Sequence, residues 1–155
     1  MLWVTVCTDI SFSSQHNLAT CAYAISSVCL RKIIYNVTKI DAHVKDSTVA
    51  EIIGITEGLY AAYRIHKNIK KGIIGYQIFT DNKSAQEIIM RNQHHRYDIT
   101  RELQRIQGIA NLGFFINVIW IKGHSENKDR LSKLNRRVDS LAHKKLRELV
   151  NEHQP

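Results

Sequence analysis

Glycine and proline are scarce in this sequence of 155 residues, which contains seven Gly and one Pro. No Gly/Pro-rich linker, internal repeat or low-complexity tract divides the chain, so nothing marks a boundary between domains. Hydrophobic residues make up 44% of the sequence, enough to form a substantial core. We therefore expect residues 1–155 to form a single domain.

Cysteines and long apolar runs are also few. Cys7, Cys21 and Cys29 are too few for a disulfide framework, and no two of them have the C-x-x-C spacing of a metal site. No apolar run is long enough to cross a membrane, and the N-terminus lacks the features of a signal peptide. These absences argue against secreted disulfide-rich proteins and against membrane-spanning proteins. We expect free, mostly buried thiols in a soluble, cytoplasmic protein.

Acidic residues are outnumbered, with 14 Asp and Glu against 22 Lys and Arg, giving a formal net charge of +8. Such an excess favours an anionic partner, most commonly nucleic acid, although a solvated basic surface without a partner also explains it. Residues 122–147 hold nine basic and three acidic side chains, a net +6. We hypothesise that this segment, with residues 94–96 as a second patch, follows the phosphates of a nucleic acid.

Two strand-like segments end on the same Thr-Asp dipeptide. Residues 2–9 form an apolar run without a polar face, which is typical of a central strand, and the run stops at Asp9. Residues 73–81 repeat this pattern and stop at Asp81. If the two strands are parallel neighbours, both carboxylates lie at the carboxyl edge of the sheet, where open α/β sheets bind ligands.

The hydrophobic periods predict nine elements. The strands are predicted at residues 2–9, 18–26, 32–40, 73–80 and 114–121. The first helix is predicted from residue 47 or 48 to 66 and the second from residue 82 or 84 to 91. The others are predicted at residues 98–111, which Gly113 ends, and 131–151. Short connections indicate an antiparallel meander of the first three strands, and helical crossovers lead to the parallel ones. The predicted fold class is α/β, a mixed five-stranded sheet flanked by helices.

Two more carboxylates stand where apolar side chains are expected. Glu51 shares the apolar stripe of the first helix, although Thr48 and Glu51 also fit a capping box, in which the Glu bonds back to the helix start. Asp139 borders the buried stripe of the last helix, although an ion pair with Lys144 or Arg136 also explains its position. Both interpretations of each residue stay open at this point.

Four converging carboxylates would repel one another and would have raised pKa values unless a cation neutralised them. Hard divalent ions, above all Mg²⁺, bind oxygen ligands of this kind. Two such ions about 4 Å apart promote in-line displacement at phosphorus, because one activates a water and the other stabilises the leaving oxygen. A basic protein with a compact acidic pocket therefore indicates phosphodiester hydrolysis.

The chain resembles type 1 ribonuclease H over nearly its whole length. The resemblance is carried by Thr-Asp9, Glu51, Thr-Asp81, the run Lys122-Gly-His124-Ser125 and the pattern Asn135-x-x-x-Asp139-x-Leu-Ala142. It implies that Asp9 bridges two Mg²⁺ ions, with Mn²⁺ as a substitute. Glu51 and Asp81 would complete one metal site, Asp139 would belong to the other, and His124 would move protons or assist product release.

The same resemblance implies a ribonuclease H-like fold and an endonuclease that cuts the RNA strand of RNA/DNA hybrids. Its products would carry 3′-hydroxyl and 5′-phosphate ends, and Asn135 would position the RNA strand. We expect a monomer that binds hybrid and no membrane. The expected substrate-binding residues are Ser11, Ser47, Thr48, Asn82, Lys122, Asn135, Arg136 and Arg137.

Some positions depart from the family pattern. Ile10 follows the first Asp in place of a small residue, the turn after the first strand lacks glycines, and Arg136 stands where an acid commonly follows the Asn. An alternative interpretation is therefore a catalytically silent ribonuclease H fold that binds nucleic acid or a partner protein. The intact carboxylate set favours the enzyme. A third interpretation is another nuclease of the same broad fold, but Asp9-Ile-Ser11 lacks the D-x-E pattern of proofreading exonucleases.

Overall fold

Five strands and four helices follow one another in the predicted order. The structure is a computed structural model that describes residues 1–40, 44, 46–69, 72–91, 97–123 and 126–152. Strands β1 to β5 span Leu2–Ser13, Leu18–Ser26, Ile34–Lys39, Ile73–Thr80 and Phe115–Trp120. Helices α1 to α4 span Ser47–His66, Lys83–Arg91, Tyr97–Asn111 and Arg130–Glu152.

The strands form one mixed sheet in the order β3-β2-β1-β4-β5. β1 pairs antiparallel with β2, which pairs antiparallel with β3, whereas β1, β4 and β5 run parallel to one another. The α/β fold class and the five-stranded sheet are thus confirmed. β1 lies at the centre, as its apolar sequence predicted, and Val4, Val6 and Cys7 are completely buried.

β1 is longer than predicted. The strand does not stop at Asp9 but continues to Ser13, because β2 keeps pairing with it as far as Ser13 opposite Leu18. The parallel pairing with β4 ends earlier, at Cys7 opposite Phe79. Asp9 therefore lies just beyond the parallel part of the sheet, where one side of β1 has lost its neighbouring strand.

Helices cover β1 from both faces. On one face, Leu134, Val138 and Ala142 of α4 pack against Cys7 and Ala22. On the other face, α1 approaches the sheet through Gly54 and Gly58. A Cβ atom built on Gly58 would lie 2.8 Å from the Cγ2 atom of Thr8, so only glycine permits this approach. The close packing brings the first turns of α1 over the end of the parallel strands.

Asp46 caps the N-terminus of α1. Its carboxylate accepts a hydrogen bond from the Val49 N–H at 2.9 Å, and the helix begins at Ser47. The capping-box interpretation of Thr48 and Glu51 is therefore wrong, because the capping position lies two residues before Thr48. Glu51 is instead buried, with 3% of its surface exposed.

Three further features of the scaffold are the cysteines, the end of α3 and the hydrophobicity of the helices. Cys7 and Cys21 are buried, Cys29 is partly exposed, and all three are free thiols, as predicted. Gly113 follows α3 with a φ of 100°, which fits its predicted role in ending that helix. No helix in the described ranges is long and apolar enough to span a membrane.

Candidate active site

Three carboxylates from three different elements converge at the end of the parallel strands. Asp9 lies on β1, Glu51 lies near the start of α1, and Asp81 directly follows β4. One carboxylate oxygen from each residue lies within 4.8 Å of the other two. Asp9 is as buried as Glu51, with 4% of its surface exposed. The fold thus concentrates negative charge where water is largely excluded.

This concentration changes the acidity of the carboxyl groups. Burial, followed by the charges of Glu51 and Asp81, raises the pKa of Asp9 to about 10. Burial and the charge of Asp81 raise the pKa of Glu51 to about 8, although a hydrogen bond from the Thr80 hydroxyl lowers it. That hydroxyl donates to Glu51 Oε1 at 3.2 Å. Without a cation, the folded protein therefore retains protons here at neutral pH.

A divalent cation fits these residues. Asp9 Oδ1 accepts a hydrogen bond from the Ile10 N–H at 2.9 Å, but within the described ranges no donor reaches the buried Oδ2 atom. A buried acceptor without a partner costs about 1–3 kcal/mol, and a cation would remove that cost. The three converging groups offer only carboxylate oxygens, which suit Mg²⁺ or Mn²⁺ better than softer metals.

Asp139 approaches the cluster from α4. Its carboxyl group lies close enough to Asp9 to contribute to the raised pKa of that residue. The ion-pair partner of Asp139 is His143, whose Nε2 atom lies 3.2 Å from Asp139 Oδ1. The other ring nitrogen of His143, Nδ1, lies 3.0 Å from the hydroxyl of Ser11. This pair was not predicted from the sequence, although a spacing of four residues on a helix is the signal for such contacts.

The end of β5 fixes the surroundings of Asp81. The indole N–H of Trp120 donates to the Asp81 carbonyl at 3.1 Å. The backbone of Gly123 passes so close that a Cβ atom there would lie 2.8 Å from Asp81 Oδ2. Neither contact was predicted from the sequence, because both depend on β4 and β5 ending side by side.

Solved structures with the same architecture decide the fold. The N-terminal RNase H domain from Mycobacterium tuberculosis, solved as a fusion with maltose-binding protein, matches with a TM-score of 0.69 over 96% of this chain and 99% of that one. This chain has a ribonuclease H-like fold. The sequence identity to that domain is 15%.

Two further structures share the ribonuclease H-like fold. RNase H1 from the halophilic archaeon Halobacterium salinarum has a TM-score of 0.69 and 16% identity, and the match covers 94% of this chain and 98% of that one. LC11-RNase H1, solved in complex with an RNA/DNA hybrid, has a TM-score of 0.64 and 12% identity, with 89% and 98% covered. No family model and no curated protein sequence matches this chain.

On the ribonuclease H-like fold, the expected substrate-binding residues differ in how far they are exposed. Ser11 and Asn135 are buried, and in the part of the chain that is described the Oδ1 atom of Asn135 has no hydrogen-bond partner. Asn82 caps α2 by accepting a hydrogen bond from the Ala85 N–H at 2.8 Å. Thr48 and Asn82 are partly buried, whereas Ser47, Lys122, Arg136 and Arg137 are exposed.

Other predicted site residues lie outside the described ranges. These are His124 and Ser125, which follow Gly123, and the basic patch at residues 94–96. The roles predicted for them from the sequence stay predictions.

Proposed function

We propose that this protein is a metal-dependent endoribonuclease that hydrolyses the RNA strand of RNA/DNA hybrids. The observation that carries the proposal is the convergence of Asp9, Glu51 and Asp81 within 4.8 Å on a ribonuclease H-like fold. Buried acids that repel one another destabilise a fold, and a bound cation would remove that repulsion. Such a cluster is therefore typical of a functional metal site. One protein with a similar structure was solved with an RNA/DNA hybrid bound.

In this proposal, Asp9, Glu51 and Asp81 hold one Mg²⁺ ion, and Asp9 and Asp139 hold a second, with Mn²⁺ as a substitute. A pair of such ions supplies an activated water and neutralises the charge that develops on the leaving oxygen. The protein contributes the orientation of its ligands. The Thr80 hydroxyl orients Glu51 through the hydrogen bond to Oε1, and Gly123 leaves room for the Asp81 carboxylate.

The remaining roles concern protons and substrate. We assign His124 to proton movement or product release, and Asn135 to positioning the RNA strand. Ser11, Ser47, Thr48, Asn82 and Lys122 belong to the proposed substrate-binding set, together with Arg136 and Arg137. Hydrolysis is proposed to leave 3′-hydroxyl and 5′-phosphate ends.

All the carboxylates come from one chain, which supports action as a monomer without a partner to complete the site. The free thiols of Cys7, Cys21 and Cys29 support a reducing location such as the cytoplasm. The extent of the proposed domain is the whole chain, residues 1–155.

A cleavage assay on four labelled nucleic acids tests the proposal: an RNA/DNA hybrid, duplex DNA, duplex RNA and single-stranded RNA, each with Mg²⁺, Mn²⁺ or EDTA. We expect cleavage of the hybrid's RNA strand alone, dependent on metal, with 5′-phosphate on the downstream product. Equal cleavage of all four nucleic acids would contradict the proposed substrate class. Tight binding of hybrid without cleavage in either metal would support the silent binding module instead.

A further inference from the structure

A series of side-chain contacts leads from the Asp139 carboxylate to the centre of the sheet. His143 lies one helical turn after Asp139 on α4, and its Nε2 atom is 3.2 Å from Asp139 Oδ1. The Nδ1 atom on the other side of the ring is 3.0 Å from Ser11 Oγ. Ser11 lies on β1 two residues after Asp9, with 4% of its surface exposed. These contacts therefore connect Asp139 to the strand that carries Asp9.

The chemistry of the groups favours one arrangement of hydrogens on the ring. A carboxylate oxygen only accepts, so the 3.2 Å contact with Asp139 is most favourable when Nε2 of His143 carries a hydrogen. In the neutral imidazole, Nδ1 then has a lone pair and accepts the Ser11 hydroxyl hydrogen. Ser11 thus favours the ring orientation and the tautomer in which the Nε2–H group of His143 faces Asp139.

Asp139 needs such a support. Its side chain is 28% exposed, and Asp9 and Asp139 are like charges when both are ionised, so repulsion favours rotation of Asp139 toward solvent. The Ser11 hydroxyl cannot move far, because it belongs to a buried strand between α1 and α4. A ring held at both nitrogens can therefore keep the Asp139 carboxylate facing Asp9.

We propose that Ser11 and His143 are positioning residues that hold Asp139 toward Asp9 and thereby set the affinity of the second metal position. The inference rests on the proposed function, because it takes Asp139 as a metal ligand. It also gives Ser11 a role different from the substrate contact expected from the sequence. Hydrogen-bonded groups behind a ligand typically change metal affinity by about 10–100-fold when they are removed.

The order Ser, His and Asp also occurs in enzymes that use the serine as a nucleophile. That role does not fit here, because a nucleophile must lie open to the reacting atom, and Ser11 has only 4% of its surface exposed. The Asp139 carboxyl group is also within reach of Asp9, which ties it to the acidic cluster.

Calorimetric titration of the full chain with Mn²⁺, without nucleic acid, tests the proposal. We expect His143→Ala and Ser11→Ala to weaken the lower-affinity metal position by about 10–100-fold and to leave the higher-affinity position unchanged. His143→Gln should restore most of the affinity, because its amide N–H can still donate to Asp139. Thermal unfolding of each variant in EDTA checks that the fold is intact. If Ser11→Ala does not fold, the comparison of His143→Ala with His143→Gln still tests the proposal.

Two control variants match these substitutions. Ser140→Ala changes an exposed residue beside Asp139 on the same helix. His16→Ala removes a serine–imidazole bond of equal length, 3.0 Å to Ser13, beyond the end of β1. Both should bind Mn²⁺ as the unchanged protein does, and weakening by His16→Ala equal to that by His143→Ala would overturn the proposal.

Asp139→Asn separates this inference from the proposed function. If Asp139→Asn loses the lower-affinity position while His143→Ala and Ser11→Ala retain full affinity, the positioning role is wrong and the proposed function stands. If Asp139→Asn itself binds Mn²⁺ normally, Asp139 is not a ligand of a second metal ion, and the positioning role inferred for Ser11 and His143 is wrong too.

Discussion

Substitution of Asp81 distinguishes most clearly between a role as a metal ligand and a role in a structural ion pair. It lies against Asp9 and Glu51, and its charge raises the pKa values of both. We predict that Asp81→Asn abolishes cleavage but leaves the free energy of unfolding in EDTA equal or higher, because it removes one of the repelling charges. Urea denaturation and the hybrid cleavage assay measure the two effects.

Asp129 provides the contrast for this prediction. Its carboxylate accepts hydrogen bonds from the N–H and hydroxyl of Ser132 at the start of α4. Asp129→Ala should therefore lower stability, as loss of a helix cap does. If Asp81→Asn destabilised the protein as much as Asp129→Ala does, Asp81 would be a structural residue and its assignment as a metal ligand would be wrong.

The raised pKa values also predict how stability depends on pH. Asp9 and Glu51 bind protons more tightly in the folded state, with pKa values of about 10 and about 8, than in the unfolded chain. Stability in EDTA should thus fall as pH rises from about 5 to 8, by on the order of 1 kcal/mol per pH unit for each extra proton held. Saturating Mg²⁺ should reduce this slope, and urea denaturation in EDTA that showed rising stability over the same range would contradict it.

At the residue scale, the sequence identified the acidic residues but not their supports. Asp9, Glu51 and Asp81 were recognisable because acids interrupted apolar patterns at strand ends and on a helix stripe. Thr80, Gly123 and the Ser11–His143 pair were not, because their contacts join residues distant in the sequence. A hydroxyl or a glycine has no distinctive pattern until its neighbour in space is known.

At the element scale, the packing of α1 on β1 sets the position of Glu51. Cβ atoms built on Gly58 would lie 2.8 Å from Thr8 Cγ2 and 3.0 Å from Val6 Cγ1, and both of these residues are completely buried. We predict that Gly58→Ala lowers the free energy of unfolding by about 1–3 kcal/mol through overpacking. Chemical denaturation measures this change.

Gly108→Ala is the matched control, because Gly108 also lies inside a helix, α3. Among the described residues, a Cβ atom there would meet only the Tyr60 hydroxyl, at an ordinary 3.7 Å. This variant should gain about 0.5–1 kcal/mol, since alanine favours a helix over glycine. Equal effects of the two substitutions would show that α1 does not depend on close contact with β1.

The order of the elements followed from the hydrophobic periods, but two of their ends did not. The polar stretch after Asp9 looked like a loop, yet β2 supplies hydrogen-bond partners and extends β1 to Ser13. Similarly, Thr48 and Glu51 fit a capping pattern, yet Asp46 takes the capping position. Local sequence cannot decide such cases, because the competing partner lies elsewhere in the fold.

The molecule as a whole combines a cluster of three carboxylates with a formal net charge of +8. Arg136 and Arg137 are exposed on α4, the helix that also carries Asp139. Binding constants for nucleic acid fall as salt rises, and a plot of log binding constant against log salt has a negative slope. If this surface binds phosphates, the double variant Arg136→Gln with Arg137→Gln should make that slope less steep by about 2. Hybrid binding measured across salt concentrations tests this, with metal replaced by EDTA to prevent cleavage.

The control changes the same amount of charge on another part of the surface. Lys67 and Arg101 are exposed on and after other helices, outside the proposed basic face. Replacing both with Gln should leave the salt slope nearly unchanged. An unchanged slope in the Arg136 and Arg137 variant would instead show that this face is merely solvated.

The fold as a whole was predictable because several weak motifs occurred in a fixed order over nearly the whole chain. The fold class is confirmed by structures only 12 to 16% identical, for which sequence similarity alone gives little information. The surface that selects a substrate was less predictable, since exposed positions such as Ser47 and Lys122 can change without affecting the core.

The most direct test of the central claim is the single-turnover rate of RNA cleavage in a hybrid, measured across Mg²⁺ concentrations for the unchanged protein and for Asp9→Asn. Asp9 is the carboxylate placed between Glu51, Asp81 and Asp139. We predict a loss on the order of a thousandfold or more that added Mg²⁺ does not restore, since metal catalysis supplies several kcal/mol. Cleavage by Asp9→Asn at nearly the unchanged rate would contradict the account.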